Sequence, residues 1–212
     1  IYVNEKLLQT ILASNEYYLK IEELESETDY EVEVKALNEA GELVLSSTTA
    51  GTTWGEPTGD VVVFKDEALK ELVKEDLGID RDPRESDLEK LSILYLHETD
   101  ITDLTGLEYA TNLNDFSVYR NTAPLNLAPL ENLTELTQIT IDETPIESYS
   151  GLENIKNLHS LTIMNNELTD ISFVSSLTKL EDISLMNNHI NDISALESLT
   201  RLNFINLANN QI

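Results

Sequence analysis

Three histidines, His97, His159 and His189, and a dense set of carboxylates are the residues of this chain whose types suit metal ligation or acid–base chemistry. Both chemistries need the groups to converge. The chain repeats with a period of 22 residues from Leu91 onward, and the histidines fall six, one and nine residues after the first leucine of their units. They therefore occupy different faces, whereas ligands of one ion must share a row or adjoining rows. Asp100 and Asp103 line a turn, but no loop has EF-hand spacing or the glycine-rich nonapeptide of calcium-binding repeats. Glycoside hydrolysis needs two carboxylates about 5 to 9.5 Å apart. Asp115 and Asp182, on one row but three units apart, stand at roughly 14 Å from strand spacing alone. No Gly-x-Ser-x-Gly, His-Glu-x-x-His or Walker pattern occurs. No catalytic, cofactor-binding or metal residue is expected, and the chain is expected not to be an enzyme.

The elements that would position any functional side chain are set by the repeat. Leu91, Leu113, Leu136, Leu158, Leu180 and Leu202 open six units, all spaced by 22 residues except one of 23 that contains Pro124 and Pro129. Three residues on stand Leu94, Phe116, Ile139, Leu161, Ile183 and Ile205; five on stand Leu96, Val118, Ile141, Ile163, Leu185 and Leu207. Units of this size cannot bury an apolar face alone, so they must stack on a shared core. Eight residues on comes a small polar group: Thr99, Asn121, Thr144, Asn166, Asn188 and Asn210. These form a structural ladder, because a side-chain amide in the turn can pair backbone groups of neighbouring coils that would otherwise be buried unsatisfied. At Thr99 and Thr144 a hydroxyl meets fewer partners, and looser turns are expected there.

The remainder of the chain is organised differently. Gly51, Gly55, Pro57 and Gly59 mark a linker. Before it, Tyr30, Val32, Val34 and Ala36 alternate with Glu31, Glu33 and Lys35, as in a half-buried strand. After it, Leu69, Leu72, Val73 and Leu77 have helical spacing, with Asp66 placed to cap the start and Gly78 the end. Ser86-Asp87-Leu88-Glu89 has the spacing of a capping box for a second, shorter helix. Trp54, the sole tryptophan, is read as packing where the two modules meet.

Composition excludes several partners. With 40 Asp plus Glu against 13 Lys plus Arg, the formal charge of −27 disfavours nucleic acid and anionic lipid, and no basic patch offsets it. No run approaches the roughly 18 apolar residues of a membrane helix, so no direct membrane insertion is expected in this segment. Cysteine is absent, which removes disulfides and thiolate chemistry. The strand-like start and the end in mid-repeat make the chain read as an excerpt.

The motif Leu180-x-x-Ile183-x-Leu185-x-x-Asn188-x-Ile190-x-Asp192-Ile193-x-x-Leu196 resembles the short leucine-rich repeat of bacterial internalin-like surface proteins. The likeness extends upstream, where Phe64-x-Asp66-x-x-Leu69-x-x-x-Val73-x-x-x-Leu77-Gly78 and the Ser86 helix look like the helical cap of those proteins. Residues 1–54 resemble the second half of a fibronectin type III domain, through Tyr2-Val3-Asn4 and the run from Leu24 to Gly41. The expected fold is an α+β multi-module chain: a partial β-sandwich at 1–54, a linker at 55–60, a helical N-terminal cap at 61–90, and a leucine-rich repeat solenoid with a parallel concave sheet at 91–212.

The resemblance also implies where function lies. In such a solenoid the outward strand side chains form the concave surface, in four rows. The first runs Ile93, Asp115, Gln138, Ser160, Asp182, Phe204; the second Tyr95, Ser117, Thr140, Thr162, Ser184, Asn206; the third His97, Tyr119, Asp142, Met164, Met186, Ala208; the fourth Glu98, Arg120, Glu143, Asn165, Asn187, Asn209. The only two methionines are neighbours in the third row. Tyr95, Tyr119, Met164, Met186 and Phe204 are expected to form an apolar protein-binding patch with Arg120, flanked by Glu98 and Glu143, on its margin. The implied protein is extracellular, secreted or on the surface of a Gram-positive bacterium, and serves adhesion or virulence by binding a host-surface or extracellular-matrix protein. An intracellular adaptor or phosphatase-regulatory protein, and the targeting modules of a larger surface enzyme, are the alternatives.

Overall fold

The computed structural model describes residues 56–212 in full and, before them, the backbone of residues 2–3, 6–7, 29–37 and 43–52. The chain divides into two compact units, Ile1–Pro57 and Thr58–Ile212. In the first, β1 (Tyr2–Val3), β2 (Lys6–Leu7), β3 (Asp29–Leu37) and β4 (Leu43–Thr52) form an antiparallel sheet in the order β2-β1-β3-β4. The strand expected around Tyr30 to Ala36 is β3. The rest of the fibronectin-type reading, and the packing of Trp54, lie outside the described residues.

The second unit opens with α1 (Glu67–Leu77) and the short α2 (Glu85–Leu88). Asp66 caps α1 as its position suggests, accepting from Ala68 and Leu69 N–H at 3.0 and 3.2 Å. Gly78 ends it at φ 64°, the left-handed geometry that lets its N–H and that of Ile79 return to the last carbonyls. The start of α2 differs from the expected Ser86 and Glu89 pairing. Asp87 reaches back to Arg84 N–H at 2.9 Å, and the Ser86 hydroxyl instead accepts from Thr58 N–H at 2.7 Å. The helix thus begins earlier, because a buried Asp87 held by Arg81 and Lys90 is already in place to cap it.

The repeats form coils, each contributing one strand to a six-stranded sheet. β5 (Ile93–His97), β6 (Asp115–Tyr119), β8 (Gln138–Asp142), β10 (Ser160–Met164), β11 (Asp182–Ser184) and β12 (Phe204–Asn206) lie in that order, all parallel. Between coils two and three, β7 (Leu125–Asn126) and β9 (Ile146–Ser148) add a two-stranded parallel sheet. The chain returns through 3₁₀ turns at Leu107–Tyr109, Ala128–Leu130, Leu152–Asn154, Ser172–Ser176 and Ser194–Ser198.

Strand pairing follows the sequence period residue for residue: Leu94, Phe116, Ile139, Leu161, Ile183 and Ile205 are cross-strand partners in succession. The first five of these are fully buried, as are Leu96, Val118, Ile141, Ile163 and Leu185. A period-2 strand must then turn the intervening residues to the opposite face. Leu69, Val73 and Leu88 join the same core cluster as the coils. Phe64 also packs against it, over Gly106. That glycine has φ 110°, and a Cβ there would come within 2.6 Å of the Phe64 ring.

The small polar residues of the turns are hydrogen-bonded to neighbouring coils. Asn121 accepts from Ile101 N–H at 2.9 Å and donates to the carbonyls of Ile101 and Ala123. Asn188 accepts from Leu168 N–H at 3.1 Å and donates to Ile163 and Leu185 carbonyls at 2.8 and 3.0 Å. Asn210 repeats the arrangement on Ile190 and Leu185, and Asn166 on Thr144 and Ile141. Each amide therefore ties its own turn to the preceding coil. The threonine positions are not gaps in this ladder. Thr144 is buried, donates to the Asp142 carbonyl at 3.0 Å and accepts from Asn121 N–H at 3.2 Å, while Thr99 donates to Asn121 at 2.6 Å. Among the described residues, no buried side-chain nitrogen or oxygen lacks a partner.

Candidate functional site

The face of the six-stranded sheet turned away from the core carries the four rows. Ile93, Asp115, Gln138, Ser160, Asp182 and Phe204 are successive cross-strand partners, as are Tyr95, Ser117, Thr140, Thr162, Ser184 and Asn206. Tyr95 and Phe204 are 54% and 53% exposed, large apolar surfaces left in water at the two ends of the sheet. Ser117 departs from its row: it is buried, donating to Asp115 at 3.0 Å, because a short side chain beside Tyr95 sits below the level of its neighbours.

In the third row His97, Tyr119, Asp142 and Met164 are partners in succession, and Asn165 N–H bonds the Met186 carbonyl at 3.2 Å, which continues the register. Met164 and Met186 are thus side by side and half-buried. Tyr119 is half-buried as well, its ring 6.4 Å from that of His97. The apolar residues do not fuse into one strip. Asp142 separates Tyr119 from Met164, and Tyr95 and Phe204 belong to other rows at opposite ends of the sheet.

The fourth row has a backbone signature that side-chain periodicity does not reveal. Glu98, Arg120, Glu143, Asn165, Asn187 and Asn209 all have positive φ, between 46° and 58°. Each left-handed residue follows its strand, directly in the first four coils and three residues on in the last two, and swings the chain into its turn. Asparagine tolerates that conformation; glutamate and arginine occupy it at a cost of about 1 to 2 kcal/mol. The three coils with asparagine there also link their side chains. Asn209 donates to Asn187, Asn187 to Asn165 and Asn165 to Asp142, each at 2.6 Å. In the other three coils Arg120, 58% exposed, bonds Glu98 at 3.2 Å and Glu143 at 3.1 Å. Those carboxylates, by direct hydrogen bond and by charge, raise the Arg120 pKa further. Exposed ion pairs of this kind contribute about 0 to 1 kcal/mol each, no more than the backbone term they accompany. Three asparagines in six units were the available sequence sign of a left-handed turn.

Tyr95 donates to Asp115 at 3.5 Å, and the negative charge of Asp115 raises the Tyr95 phenol above its usual pKa. No group of three or more histidine and carboxylate side chains gathers as a metal ion would require among the described residues. His97 lies on the third row, His159 bonds the Asn157 carbonyl at 2.6 Å, and His189 follows the Asn188 turn, so they remain apart. Among the described residues no helix is long and apolar enough to cross a membrane. One aromatic pair went unnoticed in the sequence. Tyr149 and Phe173 stack with centroids 5.5 Å apart at 5°, and burial pushes the Tyr149 phenol up to about 12. These two stand at non-equivalent positions of adjacent units, so the repeat period does not pair them.

Comparison with known proteins agrees with this geometry. Residues 156–198 match the family model of leucine-rich repeats in two copies. The fold is similar to an internalin C2 from Listeria monocytogenes strain 4b F2365, at 25% identity and a TM-score of 0.56, over 74% of this chain and 81% of that one. An internalin (inlF) from the same strain matches at 25% identity and a TM-score of 0.42, over 71% of this chain and 58% of that one. No curated protein matches the chain in sequence. The second unit is a leucine-rich repeat solenoid similar to those of internalins.

Proposed function

We propose that this chain is a protein-binding part of an extracellular bacterial protein, secreted or held at the surface of a Gram-positive cell. The outer sheet face, concave in solenoids of this kind, engages a host-surface or extracellular-matrix protein, so that the activity is adhesion without chemistry of its own. One observation carries the reading: Tyr95, Tyr119, Met164, Met186 and Phe204 all stand on the face turned away from a core that is already filled by leucine and isoleucine. The exposed part of these aromatic and thioether groups adds nothing to the core. Such groups are what protein interfaces use as anchors.

The other segments take supporting roles in this proposal. Residues 61–90 close the end of the core, for which Leu69, Val73 and Leu88 supply the buried surface. Residues 1–54 act as a fibronectin-type spacer, joined through a linker at 55–60. The test is capture of purified host-surface and matrix proteins by wild type and by a Tyr119→Ala/Met164→Ala/Met186→Ala variant of equal thermal stability. Loss of capture by the variant supports the assignment; equal capture by both removes it.

A further inference from the structure

The outer sheet face has two chemically different halves. Coils one to three hold Glu98, Asp115, Asp142 and Glu143 against the single cation Arg120, while coils four to six hold only Asp182 among amides, hydroxyls and the two methionines. Arg120 engages one oxygen of Glu98 and one of Glu143, which leaves the acidic half short of positive charge. Aromatic rings stand among these carboxylates. Tyr95 is exposed with its hydroxyl on Asp115, and the Tyr119 ring lies on the neighbouring row beside His97. A ring face next to a carboxylate is the combination that binds a guanidinium or ammonium group: the ring quadrupole and the anion both attract the cation, and the ring excludes water from one side.

Resting on the binding function proposed above, we propose that coils one to three take a cationic segment of the partner protein. An arginine or lysine side chain sits over Tyr95 against Asp115, and a second meets the remaining oxygens of Glu98 and Glu143. The amide and methionine half then takes less charged surface of the same partner. Charge complementarity selects this occupant. Nucleic acid and anionic lipid are repelled by this half, and an acidic protein segment would be repelled by four carboxylates.

The probe is a fluorescent peptide of alternating glycine and arginine, titrated into the whole chain at about 0.15 M salt, with a citrulline peptide of equal length as its neutral counterpart. Amide NMR shifts are expected within residues 93–98, 115–120 and 138–143, with affinity about tenfold higher for arginine than for citrulline. A Tyr95→Ala/Asp115→Asn variant is expected to lose about fivefold or more of that affinity. Glu135→Gln/Glu147→Gln, which removes two carboxylates from outside the four rows, is expected to leave it within about twofold. Tyr95→Ala alone, at an exposed position, keeps the comparison valid if the double variant unfolds, and it too must weaken binding. Shifts spread over the acidic turns, equal affinity for citrulline, or equal losses in test and control variants would overturn the proposal. Failure here is separable from failure of the binding function. A partner protein lost by the methionine variant but indifferent to Tyr95 and Asp115 overturns only the cationic segment.

Discussion

Asp66 joins α1 to the first coil with its two carboxylate oxygens. Oδ1 accepts from Ala68 and Leu69 N–H at the helix start, and Oδ2 accepts from the N–H and hydroxyl of Thr102 at 2.8 and 3.1 Å. Burial raises the carboxyl pKa, but these hydrogen bonds outweigh it and leave Asp66 below its usual range. Asp66→Ala removes both functions and should destabilise the second unit by about 1 to 2 kcal/mol, read from urea unfolding. Asp66→Asn, which keeps one acceptor oxygen and puts an NH2 donor in place of the other, should fall between.

Asn188 is the more demanding ladder residue. Its replacement by alanine strands Leu168 N–H and takes a donor from the Ile163 carbonyl in a buried turn, while the Leu185 carbonyl keeps the Asn210 amide, so a loss of about 2 kcal/mol or more is expected. The same measurement on Asn165→Ala, at an exposed position, should give a smaller loss dominated by the left-handed backbone. A loss at Asn188 no larger than at Asn165 would count against the ladder as the link between coils.

Asp87 should make stability fall in acid. Burial alone would raise its pKa, but the charged hydrogen bonds from Arg81 and Lys90 and the Arg84 N–H hold it at about 2. A carboxyl depressed in the folded state contributes stability above its unfolded pKa, and loses it as pH falls through the folded value. The contribution, about 2 kcal/mol, should therefore disappear between roughly pH 4 and pH 2. In Asp87→Asn that component of the pH dependence should be missing.

The repeat period was legible enough to name the cross-strand partners of the six-stranded sheet, because one residue of slip would have turned Leu94 or Ile139 into water. It was equally sufficient for the outward rows. What it could not show was local. Ser117 sinks beside Tyr95, Asp87 displaces the expected Ser86 cap, and the left-handed φ at Glu98, Arg120 and Glu143 is masked by side chains that do not favour it. The Tyr149–Phe173 stack and the β7–β9 pair arise in return segments whose sequences differ from coil to coil.

The left-handed positions offer a direct comparison of stability with function. Glu143→Asn should stabilise the solenoid by about 0.5 to 1 kcal/mol, since the backbone gain exceeds one exposed ion pair. If Glu143 serves binding, the same substitution should weaken partner affinity while raising the unfolding midpoint.

The central claim is that the partner covers the outer sheet face. Hydroxyl-radical footprinting of the chain alone and with a captured protein ligand reads it directly, since methionine and tyrosine side chains oxidise readily when exposed. Binding should protect Met164, Met186, Tyr95 and Tyr119, while Tyr109, on the 3₁₀ turn of the first coil, keeps its reactivity. Protection of Tyr109 and the 3₁₀ turns, with Met164 and Met186 oxidised as in the free chain, would contradict it.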